Sequence, residues 1–194
     1  MIAGHFGLAA AVKAREPQVP LWALMLATQG LDVVFVPLYL AHAERLVPVT
    51  GTGGGYGNAI IHADYTHSLV GAVALAALFA LPAFWRWGRR TAFVLGAVVF
   101  SHWVLDLVVH RHDMPLLPGA PAGFPSVGFG LWRQPVAAAI AELALVLWGT
   151  YSYWRAAVAT TRTLEPARLP RAHVAAAALL VSGLGTLGLD LLGT

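Results

Sequence analysis

Three titratable side chains are spaced four residues apart in the stretch SHWVLDLVVH, which is otherwise apolar. Because residues four apart lie on the same face of an α-helix, His102, Asp106 and His110 are predicted to form one polar stripe. Imidazole nitrogens and carboxylate oxygens bind divalent metal ions, and His102 and Asp106 can reach one ion from successive turns. A hydrogen-bonded His–Asp pair that joins two helices is the alternative interpretation of this spacing.

Further ligand-type side chains are predicted at the same depth, each from a different part of the chain. They are His5 near the N-terminus; Asp32 in the first long apolar segment; His62 and His67, both in the motif HADYTHS; and Glu142 and Asp190 in the last two apolar segments. A charged residue at membrane depth costs several kcal/mol unless it is paired or coordinated, so such residues are candidate functional residues. The convergence predicts a metal site, with a structural polar network as the alternative. For Glu142 and Asp190, capping or pairing with backbone or with Arg133 is an equally weighted alternative.

Five apolar segments are long enough to cross a bilayer, which takes about 20 residues. They cover approximately residues 21–41, 67–85, 91–110, 133–154 and 172–192. The N-terminal stretch IAGHFGLAAAV is shorter, and it is predicted to be either a short sixth helix or a helix that lies at the interface. The sequence therefore predicts an all-α fold, a polytopic bundle of transmembrane helices that forms a single domain over residues 1–194.

The composition agrees with a membrane protein. Hydrophobic residues make up 58% of the chain and charged residues only 11%, with a mean hydropathy of +0.70, whereas a soluble domain carries about 25% charged residues. The absence of cysteine excludes disulfides, thiolate metal sites and cysteine nucleophiles. The pI is 9.7, but the basic residues fall in short loops between apolar segments. The predicted partner is therefore the lipid bilayer, and no nucleic acid is expected.

The basic residues also predict an orientation. Nine of the twelve Lys and Arg lie in three regions, 13–15, 86–90 and 155–171, which alternation of the segments places on one side. The positive-inside rule assigns that side to the cytoplasm. The loops 42–66 and 111–132 and the C-terminus are then predicted to lie outside. Within the first loop, the run TGTGGGYGN (50–58) lacks the Lys-Ser/Thr pair of a phosphate-binding loop and is predicted to be a flexible linker.

Several short motifs follow one another in the order found in a known family. They are Gly4-His5, Leu31-Asp32, HADYTHS, SHWVLD and MPLLP. Through them, residues 3–118 resemble the inner-membrane metal-dependent hydrolases of the LexA-regulated, YdjM-like group. The resemblance implies a hydrolase in a bacterial-type inner (plasma) membrane. Carried over position by position, it implies a set of six metal ligands: His5, Asp32, His62, His67, His102 and Asp106.

The chain departs from this family pattern at two places, one acidic and one rich in histidine. The family has two acids in Pro-Asp-x-Asp, whereas this chain has only Asp32 in the corresponding GLDVV. After Asp106, the chain has His-Arg-His at 110–112, where the family tends to place Thr-Pro and Gly. One metal position is therefore either lost or rebuilt from further ligands. The candidates for rebuilding it are His110 and His112, and Glu142 is a further candidate ligand.

The residues and the resemblance together predict a membrane-bound metal-dependent hydrolase. Histidine and carboxylate ligands suit zinc best, with manganese or iron as alternatives. A site at the outer boundary meets lipid head groups, so a phospho- or carboxyl-ester of a lipid-like molecule is the predicted substrate. Asp64 and Asp113, otherwise interpreted as solvated residues, are candidate general bases, and Arg111 is a candidate phosphate contact.

Three other classes of function are compatible with the same residues. The first is a non-catalytic membrane subunit or scaffold that keeps the cluster for packing or for a structural metal. The second is an ion or proton pathway through the titratable residues. The third, a bis-histidine haem protein, is the least favoured, because two of the candidate histidines lie on one helix stripe.

Overall fold

Seven α-helices make up most of the described part of the chain, which in this computed structural model comprises residues 1–49, 59–119 and 124–192. The helices are α1 (Ile2–Arg15), α2 (Leu21–Thr28), α3 (Gly30–Leu40), α4 (Leu69–Trp87), α5 (Arg89–Val109), α6 (Pro135–Leu164) and α7 (Leu169–Leu192). The predicted all-α helical bundle is confirmed. The predicted linker at 50–58 lies outside the described residues.

The helices fit a multi-pass membrane protein. The helices α4, α5 and α6, and the stretch Pro166–Leu192 that includes α7, are each long and apolar enough to cross a membrane. The helices α2 and α3 pass the same test only as a pair, bent by 49° at the break between them. Together these elements correspond to the five predicted segments. Helix α6 extends to Leu164, ten residues beyond the predicted end at 154, because helix geometry continues through a polar stretch that hydropathy alone does not include.

The break between α2 and α3 lies at Gln29. A Cβ at Gly30 would lie 3.3 Å from both methyl groups of Val99, so the small residue lets the start of α3 lie close to α5. The break interrupts the regular helical hydrogen bonds, and the carbonyl oxygen of Thr28 turns to a side chain of α5 instead. The bend thereby places Asp32, in the first turn of α3, beside that helix.

Helix α1 is too short to span a bilayer, but it is buried inside the bundle. A Cβ at Gly149 of α6 would lie 1.9 Å from the carbonyl oxygen of Gly7, and a Cβ at Gly7 would lie 2.5 Å from the carbonyl oxygen of Leu145. The backbones of α1 and α6 therefore touch, which only glycine permits here. This close approach carries His5, which is 1% exposed, into the centre of the molecule.

Two short antiparallel strand pairs lie between helices. Strand β1 (Arg45–Pro48) pairs with β2 (Ala59–His62), and β3 (Met114–Pro115) pairs with β4 (Ser126–Val127). The motif HADYTHS precedes the second apolar helix, and its first histidine, His62, ends β2 opposite Arg45. Helix α4 begins only at Leu69, where the Ser68 hydroxyl accepts the backbone N–H of Gly71 as a helix cap.

Polar contacts join the elements at the end of the bundle where α1 ends and α5 begins. The carboxylate of Glu16, between α1 and α2, accepts two hydrogen bonds of 3.0 Å from the guanidinium of Arg90 at the start of α5. These bonds from Arg90 lower the pKa of Glu16 below its usual value. The ammonium of Lys13 donates to the carbonyl oxygens of Pro17 and Val19. Two of the three basic regions of the sequence therefore meet at one end of the molecule.

Candidate metal centre

Six ligand-type side chains from four parts of the fold meet near the end of α5. They are His5 of α1, Asp32 of α3, His67 in the turn before α4, His102 and Asp106 of α5, and His110, the residue that caps α5. All except Asp32 are nearly inaccessible, with side chains 1–6% exposed, whereas the side chain of Asp32 is 36% exposed. Asp106 lies about 25 Å along α5 from its first residue, at 1.5 Å per residue, and thus in the C-terminal half of that helix.

The carboxylate of Asp106 is the centre of this cluster. Its Oδ1 lies 3.1 Å from Nε2 of His5, and its Oδ2 lies 3.1 Å from Nε2 of His102. The Nε2 atoms of His110 and His67 lie 3.5 Å and 3.6 Å from the same Oδ2. One buried carboxylate therefore faces four imidazole rings, all through the same ring nitrogen.

Asp32 approaches two of these rings from the other side. Its carboxylate oxygens lie 3.5 Å from Nε2 of His67 and 3.7 Å from Nε2 of His102. The two imidazole nitrogens are themselves 3.3 Å apart. Two overlapping groups can hold a metal ion, His5 with His102 and Asp106, and Asp32 with His67 and His102.

The spacing of these atoms agrees with metal coordination. Nitrogen and oxygen ligands about 2.0–2.2 Å from one ion lie about 3.0–3.5 Å from one another in tetrahedral or octahedral geometry. The distances among Nε2 of His67, Nε2 of His102 and Oδ2 of Asp106 are 3.3, 3.1 and 3.6 Å. The cluster can therefore hold a divalent ion without large movement of its ligands.

Three of the four imidazoles use their second nitrogen to contact an oxygen outside the cluster. Nδ1 of His102 lies 2.6 Å from the carbonyl oxygen of Thr28, Nδ1 of His110 lies 3.1 Å from Asp113 Oδ1, and Nδ1 of His67 lies 2.9 Å from Thr66 Oγ1. A carbonyl oxygen only accepts, so Nδ1 of His102 donates and its Nε2 is available as a ligand. Such partners orient metal-binding histidines and fix their tautomers.

His5 is held differently. Its ring stacks on that of His102, with centroids 3.9 Å apart and planes 10° from parallel. Within the described residues its Nδ1 has no hydrogen-bond partner. The position of the ring therefore depends on stacking, on its contact with Asp106 and on the packing of α1 against α6.

The interpretation of Asp113 as a solvated residue was wrong. Its side chain is 8% exposed, and its carboxylate accepts from Nδ1 of His110 and, at 3.1 Å, from the backbone N–H of Ile61 in β2. Burial by itself lowers the pKa of His110, but the hydrogen bonds and charges of Asp106 and Asp113 outweigh it and raise that pKa to about 9. The ring of Trp132 lies against His110, with centroids 4.5 Å apart.

The other predicted site residues lie away from the two ligand groups. His62 ends β2, and His112 is exposed in the turn after α5, where its carbonyl oxygen accepts from Ser126. Glu142 of α6 is fully buried, and its Oε2 accepts the backbone N–H of Gly4 in the first turn of α1. Contact with backbone was one of the two predicted roles of Glu142. Arg111 and Asp64 are half-buried in loops.

Thr28, Thr66 and Asp113 contact histidines of the cluster, and Glu44 contacts Thr66. Asp113 was predicted only as a candidate general base, and the other three were not predicted. For Glu44 a sequence signal did exist, because it is one of only nine acids in the chain and stands at the end of an apolar segment. The carbonyl oxygen of Thr28 has no sequence signal, since any residue supplies one.

Comparison of the chain with protein-family models, with curated proteins and with solved structures finds no match. The similarity to inner-membrane metal-dependent hydrolases is therefore a prediction from motifs.

Proposed function

We propose that the chain is a membrane-embedded metal-dependent hydrolase that acts on a phospho- or carboxyl-ester of a lipid-like substrate. One observation carries the proposal: Nε2 of His67, Nε2 of His102 and Oδ2 of Asp106 lie at the mutual spacing of ligands of one ion. The motif resemblance supports it, because five of its six implied ligands meet at this point. They are His5, Asp32, His67, His102 and Asp106.

Charge and ligand type favour a divalent ion. Asp32 and Asp106 contribute two negative charges, so one divalent ion and neutral imidazoles make the cluster electrically neutral at membrane depth, where uncompensated charge is costly. Two carboxylates with several imidazoles suit zinc best, and manganese or iron as alternatives. An ion bound there would lower the pKa of a coordinated water and stabilise negative charge on an ester oxygen. Asp32, the one partly exposed ligand, marks the side from which water and substrate approach.

A groove beside the site supports a lipid-like substrate. It lies between α5 and α6, has a volume of about 380 Å³, and is lined almost wholly by apolar side chains, among them Leu105, Val108, Leu145 and Trp148. Its lining includes Val109, the residue before His110. An acyl chain in this groove would extend towards the end of α5 at which the candidate metal centre lies.

A pathway for ions or protons is less well supported. Such a pathway needs polar groups that continue from the cluster towards the other face of the membrane. The buried side chains of α5 that precede His102 by three to seven residues, Leu95, Val98 and Val99, are apolar and pack in the main core cluster. These three residues therefore offer no polar group that would continue such a pathway along this face of α5.

The direct test of the proposal is to measure bound metal and hydrolysis on the same preparation. We expect about one equivalent or more of a divalent metal by mass spectrometry, and turnover of at least one member of a panel of phospho- and carboxyl-ester lipids. His102→Ala should lose both, whereas His173→Ala, which removes an exposed histidine of α7, should lose neither. Wild-type protein that binds no divalent ion and hydrolyses no ester would contradict the proposal.

We further propose that the end of the molecule with Glu16 and Arg90 faces the cytoplasm, as the positive-inside rule predicts. The chain has no cysteine, so single cysteines can be introduced as reporters. In intact cells, Leu117→Cys should react with an impermeant thiol reagent and Arg89→Cys should react only after permeabilisation. The opposite labelling pattern would reverse the orientation.

A further inference from the structure

The carboxylate of Glu44 is buried directly behind one of the ligand histidines. Glu44 lies between α3 and β1 and is 1% exposed. Its Oε1 accepts the backbone N–H groups of Tyr65 and Thr66, at 2.9 and 2.8 Å. The hydroxyl oxygen of Thr66 lies 3.0 Å from Oε1, 2.9 Å from Oε2 and 2.9 Å from Nδ1 of His67. The three side chains thus form a chain from Glu44 through Thr66 to His67.

The chemistry of the groups sets the direction of these hydrogen bonds. An ionised carboxylate only accepts, so the single hydroxyl proton of Thr66 goes to Glu44. The hydroxyl oxygen can then only accept from His67, which requires the proton of that ring to be on Nδ1. If Thr66 instead donated its hydroxyl proton to Nδ1 of His67, Oε2 of Glu44 would face the lone pairs of the Thr66 oxygen at 2.9 Å without a proton between them.

We infer that Glu44 is a positioning residue that, through Thr66, holds His67 in the tautomer whose Nε2 can bind a metal ion. This inference rests on the proposed function, because it concerns a ligand of the proposed metal centre. Nε2 of His67 lies 3.3 Å from Nε2 of His102 and 3.5 Å from Asp32. A proton on that Nε2 would block coordination there, and the Glu44–Thr66 pair keeps the proton at the other end of the ring.

One substitution should reverse the chain of hydrogen bonds without changing its shape. In Glu44→Gln, the two backbone N–H groups at Oε1 require the amide oxygen to take that position. The amide NH₂ then lies at the position of Oε2 and donates to Thr66. The amide oxygen at Oε1, 3.0 Å from the hydroxyl, already accepts two backbone N–H groups, so the hydroxyl proton turns to Nδ1 of His67. His67 is thereby driven to the Nε2–H tautomer. Partners of this kind change metal affinity by about 10–100-fold when they are lost.

The experiment measures tautomer and metal affinity separately. In metal-free protein at mildly alkaline pH, the ¹⁵N shifts of labelled histidine report which ring nitrogen of His67 carries the proton, with His67→Gln used for assignment. Zinc affinity is measured by competition with a chromophoric chelator. The variants are Glu44→Gln, the matched exposed control Glu165→Gln, and the pair Thr66→Ser and Thr66→Val, which keeps or removes the hydroxyl.

We expect an Nδ1–H tautomer in the wild type, an Nε2–H tautomer in Glu44→Gln, and a loss of zinc affinity of about 10–100-fold in that variant, with Glu165→Gln unchanged. Thr66→Ser should resemble the wild type, and Thr66→Val should lose affinity. This second pair decides the matter if Glu44→Gln does not fold, and equal affinities in the pair would then overturn the inference.

A wild-type Nε2–H tautomer, or Nδ1–H retained in Glu44→Gln, overturns the inference but leaves the metal centre intact. Absence of zinc binding by the wild type instead contradicts the proposed function, and the ¹⁵N shifts still test Glu44.

Discussion

Replacing His102 and Asp106 together should cost little more metal affinity than replacing either one. Each single alanine variant is expected to lose at least 100-fold in affinity, because His102 belongs to both possible ligand groups and Asp106 faces all four imidazoles. Once one ligand is gone, the ion is already weakly held, so removing the other changes little. Residues that share one site are non-additive in this way, with coupling energies of about 0.5–3 kcal/mol or more.

The double-mutant cycle needs two comparison variants. Glu142→Gln should affect metal affinity less than either ligand variant, because Glu142 belongs to neither ligand group and its Oε2 accepts the backbone N–H of Gly4, the residue before His5. His173→Ala should leave affinity unchanged. Metal content is measured on purified protein by mass spectrometry, and affinity by competition. Equal metal content in the wild type and the double variant would mean that the cluster is only a structural polar network.

The part of the site that lies on one helix could be predicted from the sequence, since the spacing of His102 and Asp106 fixes their common face. The convergence of His5, Asp32 and His67 on that face came from the order of motifs and from their common depth. The break at Gln29 and the close contact of α1 with α6 at Gly7 set the actual distances. Both depend on packing between distant parts of the chain, which hydropathy does not encode.

The supporting roles of Glu44 and Asp113 could not be predicted from the sequence, for a related reason. Glu44 and Asp113 stand in loops, where an acid is usually solvated, and each accepts backbone N–H groups from a distant part of the chain. The turn before α4 supplies two N–H groups to Glu44, from Tyr65 and Thr66, and strand β2 supplies the N–H of Ile61 to Asp113. Segments predicted only as connections therefore supply the partners that orient the histidines.

Removing the metal should abolish hydrolysis while leaving the helices folded, if the chain is an enzyme. The extensive contacts of α1 with α6, α4 with α5, and α6 with α7 surround the site and do not need the ion. In metal-free protein, His110 keeps its proton near neutral pH, because Asp106 and Asp113 raise its pKa to about 9, and it pairs with Asp106 at 3.5 Å. Asp106 is then still compensated, so the loss of stability is expected to be small near neutral pH.

Metal affinity and the stability of the metal-free protein should depend on pH in opposite directions. Metal affinity should fall at acidic pH, because a protonated imidazole cannot bind an ion. In the metal-free protein, by contrast, the pKa of His110 is raised to about 9 by Asp106 and Asp113, against the effect of burial. The stability that this raised pKa contributes is fully present below about 6.5, the unfolded value, and is lost as pH rises through about 9. Chelation should therefore lower the unfolding temperature much more at alkaline pH than near pH 6.

These opposite dependences distinguish an enzyme from a scaffold with a structural metal. The protein is chelated in detergent, and thermal unfolding and hydrolysis of phospho- and carboxyl-ester lipids are followed at several pH values, before and after a divalent ion is restored. An enzyme should lose turnover on chelation at every pH and regain it with the ion, with only a small change in unfolding temperature near pH 6. A scaffold should instead show no hydrolysis with any ion and a large loss of stability on chelation even near pH 6. That second result would contradict the hydrolase and leave a metal that holds α1, α3, α4 and α5 together.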